Sequence, residues 1–140
     1  MIVEYPAIII AEEDGSGYNL TFPDFAEAFT CGTDLEESLY MASDVLDLTI
    51  ISRIADKEEI PQPHVEQGDN IYMVAPDAKV QAALLIRFNR SERKLADIAR
   101  TLGTSWPSVA RLEDPAHWPG LRTLEKTAAA LGKRLVLSFA

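Results

Sequence analysis

The residues best able to do chemistry in this sequence are carboxylates in its first third and cations in its last. Asp14, Asp24, Asp34, Asp44 and Asp47 offer the hard oxygen ligands that Mg²⁺ prefers, so metal-assisted cleavage is one chemistry to consider. Three of them have a local role that accounts for them as well. Asp14 lies in a glycine-containing loop, Asp24 follows a proline at a turn, and Asp34 stands where a helix needs an N-cap. Cys31 is the single cysteine, and His64 and His117 lie far apart in proline-bordered loops. Neither a zinc site nor a Ser/His/Asp or Cys/His catalytic set is suggested by these residues. The expectation is a protein that is not an enzyme and needs no cofactor or metal, with Cys31 a small strand residue facing the core.

The second chemistry is recognition of DNA. Leu95 to Glu113 reads Leu-Ala-Asp-Ile-Ala-Arg-Thr-Leu-Gly-Thr-Ser-Trp-Pro-Ser-Val-Ala-Arg-Leu-Glu. Ile98 and Leu102, one helical turn apart, face a core, and Ala99 is small enough for a second helix to cross closely. Gly103 can end the first helix at positive φ. Ser105 or Thr104 can cap the second helix, with Val109 and Leu112 as its buried anchors. Two helices joined by a short glycine turn leave the first residues of the second pointing outward. Ser105, Trp106, Ser108 and Arg111 are therefore the candidates for the major groove, where a guanidinium can pair bidentately with guanine. Arg93, Lys94, Arg100 and Arg122 are candidates for phosphate contacts, which position a protein without reading sequence.

This segment resembles the helix-turn-helix of phage-repressor-like (Cro/C1-type) regulators. Ile98-Ala99, Leu102-Gly103, Ser105, Val109 and Arg111-Leu112-Glu113 match that pattern in order and without a gap, and Leu121 to Gly132 resembles the fourth helix of the fold. The departure is Trp106-Pro107, where such regulators usually carry polar residues. Trp106 is left to touch a thymine methyl, to lie on the sugar-phosphate, or to pack.

The elements that must position these residues follow from periodicity. Ile2 to Ala11 is rich in β-branched residues, and Tyr18 to Phe22 alternates apolar with polar, so the two form a hairpin across Glu12 to Gly17. Pro23-Asp24 breaks the chain, Ala28 to Gly32 supplies a third strand, and a helix follows. Thr33 or Asp34 caps it, with Glu36 or Glu37 as the capping-box partner. Leu35, Leu39, Ala42, Leu46, Ile50 and Ile54 form one apolar stripe for the sheet. Pro61-Gln62-Pro63 stiffens a crossing segment, Ile71 to Val74 is one more short strand, and Ala75-Pro76 starts the next helix. Arg134 to Phe139 reads as a closing strand with Leu135, Leu137 and Phe139 on one face. The expected architecture is thus α+β. A small antiparallel sheet packed on a helix spans residues 1–75, and an all-α helix-turn-helix domain with a closing C-terminal strand spans 76–140.

Charge divides the same way. The net −9 hides 17 Asp and Glu against three Lys and Arg in residues 1–80, and five against ten in residues 81–140. Such asymmetry suggests two modules with partners of opposite charge. No apolar run approaches the roughly 20 residues of a membrane span. The opening Met1-Ile2-Val3-Glu4 lacks a basic secretory n-region, and one unpaired cysteine fits a reducing compartment, so the expected location is cytoplasmic.

Tyr5-Pro6-Ala7-Ile8-Ile9-Ile10, Gly17 to Phe25 with its Phe22-Pro23-Asp24, Thr30-Cys31-Gly32, Asp34-Leu35-Glu36-Glu37 and Ile60-Pro61-Gln62-Pro63 carry a second resemblance. Together they resemble the N-terminal domain of HicB antitoxins of type II toxin–antitoxin systems, a domain similar to a partial RNase H fold. The resemblance implies a small basic HicA-like toxin that cleaves messenger RNA as protein partner, and repression of the shared operon through operator DNA. The acidic module suits such a basic partner, and the hairpin, the Phe22–Phe25 turn (Phe22, Asp24, Phe25) and the acidic helix (Glu36, Glu37) are the expected toxin face. Operators of the phage type are usually two-fold repeats, so a homodimer or higher oligomer is expected, with Arg134 to Phe139 pairing between chains or within one. Two other readings stay open: a stand-alone phage-repressor-like regulator with an N-terminal sensor domain, and a nuclease of RNase H type.

Overall fold

In the computed structural model, which describes residues 1–140, the first 77 residues form one unit around a four-stranded antiparallel sheet, and residues 78–140 form a second, helical unit. The sheet is built from β1 (Tyr5–Ala11), β2 (Tyr18–Phe22), β3 (Phe25–Gly32) and β4 (Ile71–Val74) in the order β3-β2-β1-β4. β1 pairs Ile8 with Thr21 on one side and with Ile71 on the other. Strand alternation sends Tyr5, Ala7, Ile9, Leu20 and Phe22 into the core and leaves Ile10 and Phe29 exposed on the opposite face.

β3 begins three residues earlier than the sequence suggests. Only Pro23-Asp24 separates it from β2, and a register shift between Thr21 and Phe22 lets Phe25 pair with Phe22. That bulge puts Phe25 in the core while Phe29, opposite Thr21, faces out. Cys31, opposite Asn19, is exposed too, so the expectation that it faces the core is incorrect.

α1 (Leu35–Ala55) covers the inner face of the sheet. Asp34 caps it, its Oδ1 accepting from Glu37 N–H at 2.7 Å, and the Thr33 hydroxyl donates to Glu37 Oε2 at 2.5 Å. The buried stripe is Ser38, Ala42, Leu46, Thr49 and Ile50, shifted from the all-apolar series of the sequence reading. Ser38 and Thr49 tolerate burial because each hydroxyl donates to the carbonyl four residues back, at 2.7 Å. Gly32 allows α1 to approach the end of β3: a Cβ there would meet Ser38 Oγ within 2.3 Å and Ser38 N within 2.8 Å.

Phe25 is the hub of this unit. Its ring lies edge-on to Tyr5 with centroids 5.0 Å apart, and the Arg53 guanidinium sits 4.7 Å over it. Arg53 also pairs bidentately with Glu27 at 2.7 Å, holding the Glu27 carboxyl down to about 2. Tyr5 donates its hydroxyl to Pro61 O at 2.7 Å, which fixes the proline-rich crossing segment, and burial pushes that hydroxyl well above its usual titration range.

The second unit contains α2 (Ala78–Arg90), α3 (Leu95–Leu102), α4 (Trp106–Leu112) and α5 (Leu121–Ala130). α2 starts at Ala78, leaving Pro76 outside the helix. Ile98, Ala99, Val109 and Leu131 form the core here, with Leu95 and Leu102 packed against it. The expected closing strand is absent from the chain's only sheet. Lys133 to Ala140 carries no secondary structure, and Val136, Leu137 and Phe139 are exposed. Arg134 to Phe139 pairs with none of the four strands.

Candidate DNA-reading and partner-binding surfaces

The helix-turn-helix geometry is set by its glycine. Gly103 is left-handed (φ 68°, ψ 34°), and Thr104 N–H returns to Ala99 O at 2.9 Å while Gly103 N–H reaches Arg100 O. These two bonds satisfy the last carbonyls of α3 and turn the chain into α4. α4 then anchors itself by Val109 and Leu112, both buried. Its orientation is fixed further by Arg90 at the end of α2, whose Nε and a second guanidinium nitrogen reach Glu113 at 2.5 and 2.9 Å. The Glu113 carboxylate beside it pushes Arg90 above its ordinary value.

Ser105 occupies the N-cap position with extended backbone but makes no side-chain cap bond. Its hydroxyl lies 3.0 Å from that of Ser108 instead, and the proline at position 107 offers no N–H to be capped. Ser105, Trp106 and Arg111 are exposed, whereas Ser108 is half-buried. The four phosphate candidates are all exposed: Arg93 and Lys94 at the entry to α3, Arg100 in its last turn, and Arg122 in the first turn of α5. Arg100 touches only Asp97, at 3.3 Å, a bridge exposed enough to yield to a phosphate.

In the acidic unit the expected toxin face needs correction. Phe22 and Phe25 are 2% and 0% exposed and cannot touch a partner, because strand alternation turns Phe22, and the bulge turns Phe25, into the core. Asp24 is partly exposed and held by His64 Nε2 at 2.8 Å, and Glu36 and Glu37 are open to solvent. The exposed apolar side chains on the sheet are Ile10 and Phe29, at 52% and 67%. Strand alternation was the available signal for them, but the bulge hid its phase. The five aspartates considered for a metal do not converge, and no group of three or more His, Cys, Asp or Glu could hold one. Asp14 caps its own loop through Ser16 N–H at 2.9 Å, and Asp47 accepts from Asp77 N–H. No helix is long and apolar enough to cross a membrane.

Fold and surfaces together define a two-unit protein, an acidic sheet-and-helix unit followed by a helix-turn-helix-like unit. The family described as "HicB_like antitoxin of bacterial toxin-antitoxin system" matches residues 4–81, and the chain belongs to it. It is accordingly an antitoxin of HicB type. Antitoxin HicB 2 of Photorhabdus laumondii is 32% identical over 126 residues, 90% of each chain. Antitoxin HicB 1 of the same organism is 33% identical over 138 residues, 98% of this chain and 87% of its own. A chain of a solved toxin–antitoxin complex from Streptococcus pneumoniae aligns with a TM-score of 0.45 at 23% identity, covering 79% of this chain and 95% of that one.

Proposed function

We propose that the first unit neutralises a small basic HicA-like toxin that cleaves messenger RNA, and that the second represses the operon encoding both. The observation that carries this reading is the charge division at the unit boundary. Residues 1–77 hold 17 acidic against two basic side chains, and residues 78–140 hold 11 basic against five acidic. An acidic surface suits a basic RNA-handling partner by charge complementarity and rapid encounter. Glu36, Glu37 and Asp24, with the exposed Ile10 and Phe29, are the residues proposed to meet the toxin.

The exposed Arg and Lys of a helix-turn-helix unit suit the phosphate backbone even in an acidic protein, because the Debye length confines each unit's field to its own neighbourhood. The test is titration of the purified full chain with the DNA upstream of its own reading frame, at two salt concentrations. Saturable retardation that weakens as salt rises is expected. Absence of retardation at micromolar protein would remove the repressor half of the proposal.

A further inference from the structure

We infer that α4 reads its DNA by apolar contact: the face made by Trp106, Pro107 and Ala110 packs on the C5-methyl groups of thymines, and Arg111 beside it takes a guanine. At about 100° per residue, Pro107, Ala110 and Arg111 lie on the side of α4 away from Val109 and Leu112, and Trp106 stands at the edge of that side next to Ala110. Burial agrees, for Val109 is 0% exposed and Trp106 is 59% exposed. That exposure removes the alternative that Trp106 packs within the chain, and neither a ring nor a cation covers it.

The chemistry of this face is narrow. The indole has one N–H donor and no acceptor, Pro107 lacks even a backbone N–H, and Ala110 ends in a methyl. The serine hydroxyls at the edge of the helix lie within hydrogen-bond distance of each other, 3.0 Å apart. Apart from the single indole N–H, only the Arg111 guanidinium can make directed bonds to a base edge from this face, and only it can make a bidentate pair. In the major groove only thymine presents a methyl group, and guanine presents the paired acceptors that suit arginine. The occupant is DNA and not another apolar surface because the same unit carries exposed cations at the entry to α3 (Arg93, Lys94), in its last turn (Arg100) and in the first turn of α5 (Arg122). The inference rests on the operator-binding reading and gives it a sequence class, half-sites with thymine beside guanine.

The experiment compares two versions of the DNA upstream of the reading frame, one made with dTTP and one with dUTP, which lacks the methyl. The full-length wild type, Trp106→Phe and Trp106→Ala are titrated with each. Wild type is expected to bind the thymine fragment about tenfold more tightly than the uracil one. Trp106→Phe should keep part of that preference, and Trp106→Ala should lose it while melting like wild type. Equal binding of both fragments by wild type would overturn the inference while leaving operator binding intact. So would a Trp106→Ala chain that still prefers thymine, or one whose mass in solution differs from wild type, which would assign the indole to a protein contact. Failure of wild type to bind either fragment would instead defeat the operator-binding reading, and this inference with it.

Discussion

Arg90 and Glu113 join the end of α2 to the end of α4 by a two-toothed ion pair, Nε to Oε2 at 2.5 Å and a second nitrogen to Oε1 at 2.9 Å. Arg90 also donates to Arg93 O at 2.8 Å, so one guanidinium fixes both the loop into α3 and the far end of α4. The side chains are 22% and 11% exposed, enough burial for the pair to count. Removing one partner leaves the other charge largely desolvated and unpaired.

Arg90→Ala should therefore lower the stability of the helical unit by about 2–4 kcal/mol. Urea unfolding followed by a probe in residues 78–140 measures this. A loss within about 0.5 kcal/mol, the range of ordinary surface substitutions, would contradict it.

Gly103→Ala isolates the backbone cost of the turn, because an added Cβ there meets nothing within 4 Å while φ is +68°. The expected loss is about 1–2 kcal/mol, with Gly103→Asn costing less because asparagine tolerates the left-handed region. Thermal unfolding of the two variants beside wild type checks the order.

The Glu27–Arg53 pair predicts a pH dependence. Folding holds Glu27 at about 2 against an ordinary 4.5, so its pairing stabilises the fold above about pH 4.5 and that contribution is lost as pH falls towards 2. Glu27 is half exposed, which limits the effect to about 1 kcal/mol or less. Between pH 4.5 and 2, Glu27→Gln should lose less stability than wild type, measured by urea midpoints. Parallel curves would contradict the assignment.

Deleting residues 133–140 tests assembly. Val136, Leu137 and Phe139 are exposed on a tail without secondary structure, and the apolar alternation of Leu135, Leu137 and Phe139 is what pairing with a second copy would use. The truncated chain should sediment at a lower mass than the full chain. Equal masses would show that the tail does not hold the assembly.

The β1–β2 hairpin and the existence of two further strands were legible through turn residues and strand alternation, and the helix-turn-helix through the spacing of Ile98, Gly103 and Val109. The place of β4 beside β1 was not, because residues 33–70 separate it from the other strands. What stayed hidden was set by contacts a linear pattern does not carry. A bulge after Thr21 decided that Phe25 is core and Phe29 surface, and only the cross-strand register shows it. Ser105 looked like a capping residue, yet the proline two positions on removes a donor and the hydroxyl turns to Ser108. Leu135, Leu137 and Phe139 have strand periodicity, but periodicity does not say where a strand finds its neighbour.

The central claim is that toxin neutralisation and operator binding reside on different units of one antitoxin. Growth of cells expressing the adjacent basic reading frame, together with either the full chain or its Arg111→Ala variant, tests it most directly. Both proteins should restore growth and co-purify with the toxin, while only the wild type should retard the upstream DNA strongly, the variant binding about 1–3 kcal/mol more weakly. Persistent growth arrest with the wild-type chain would contradict the account.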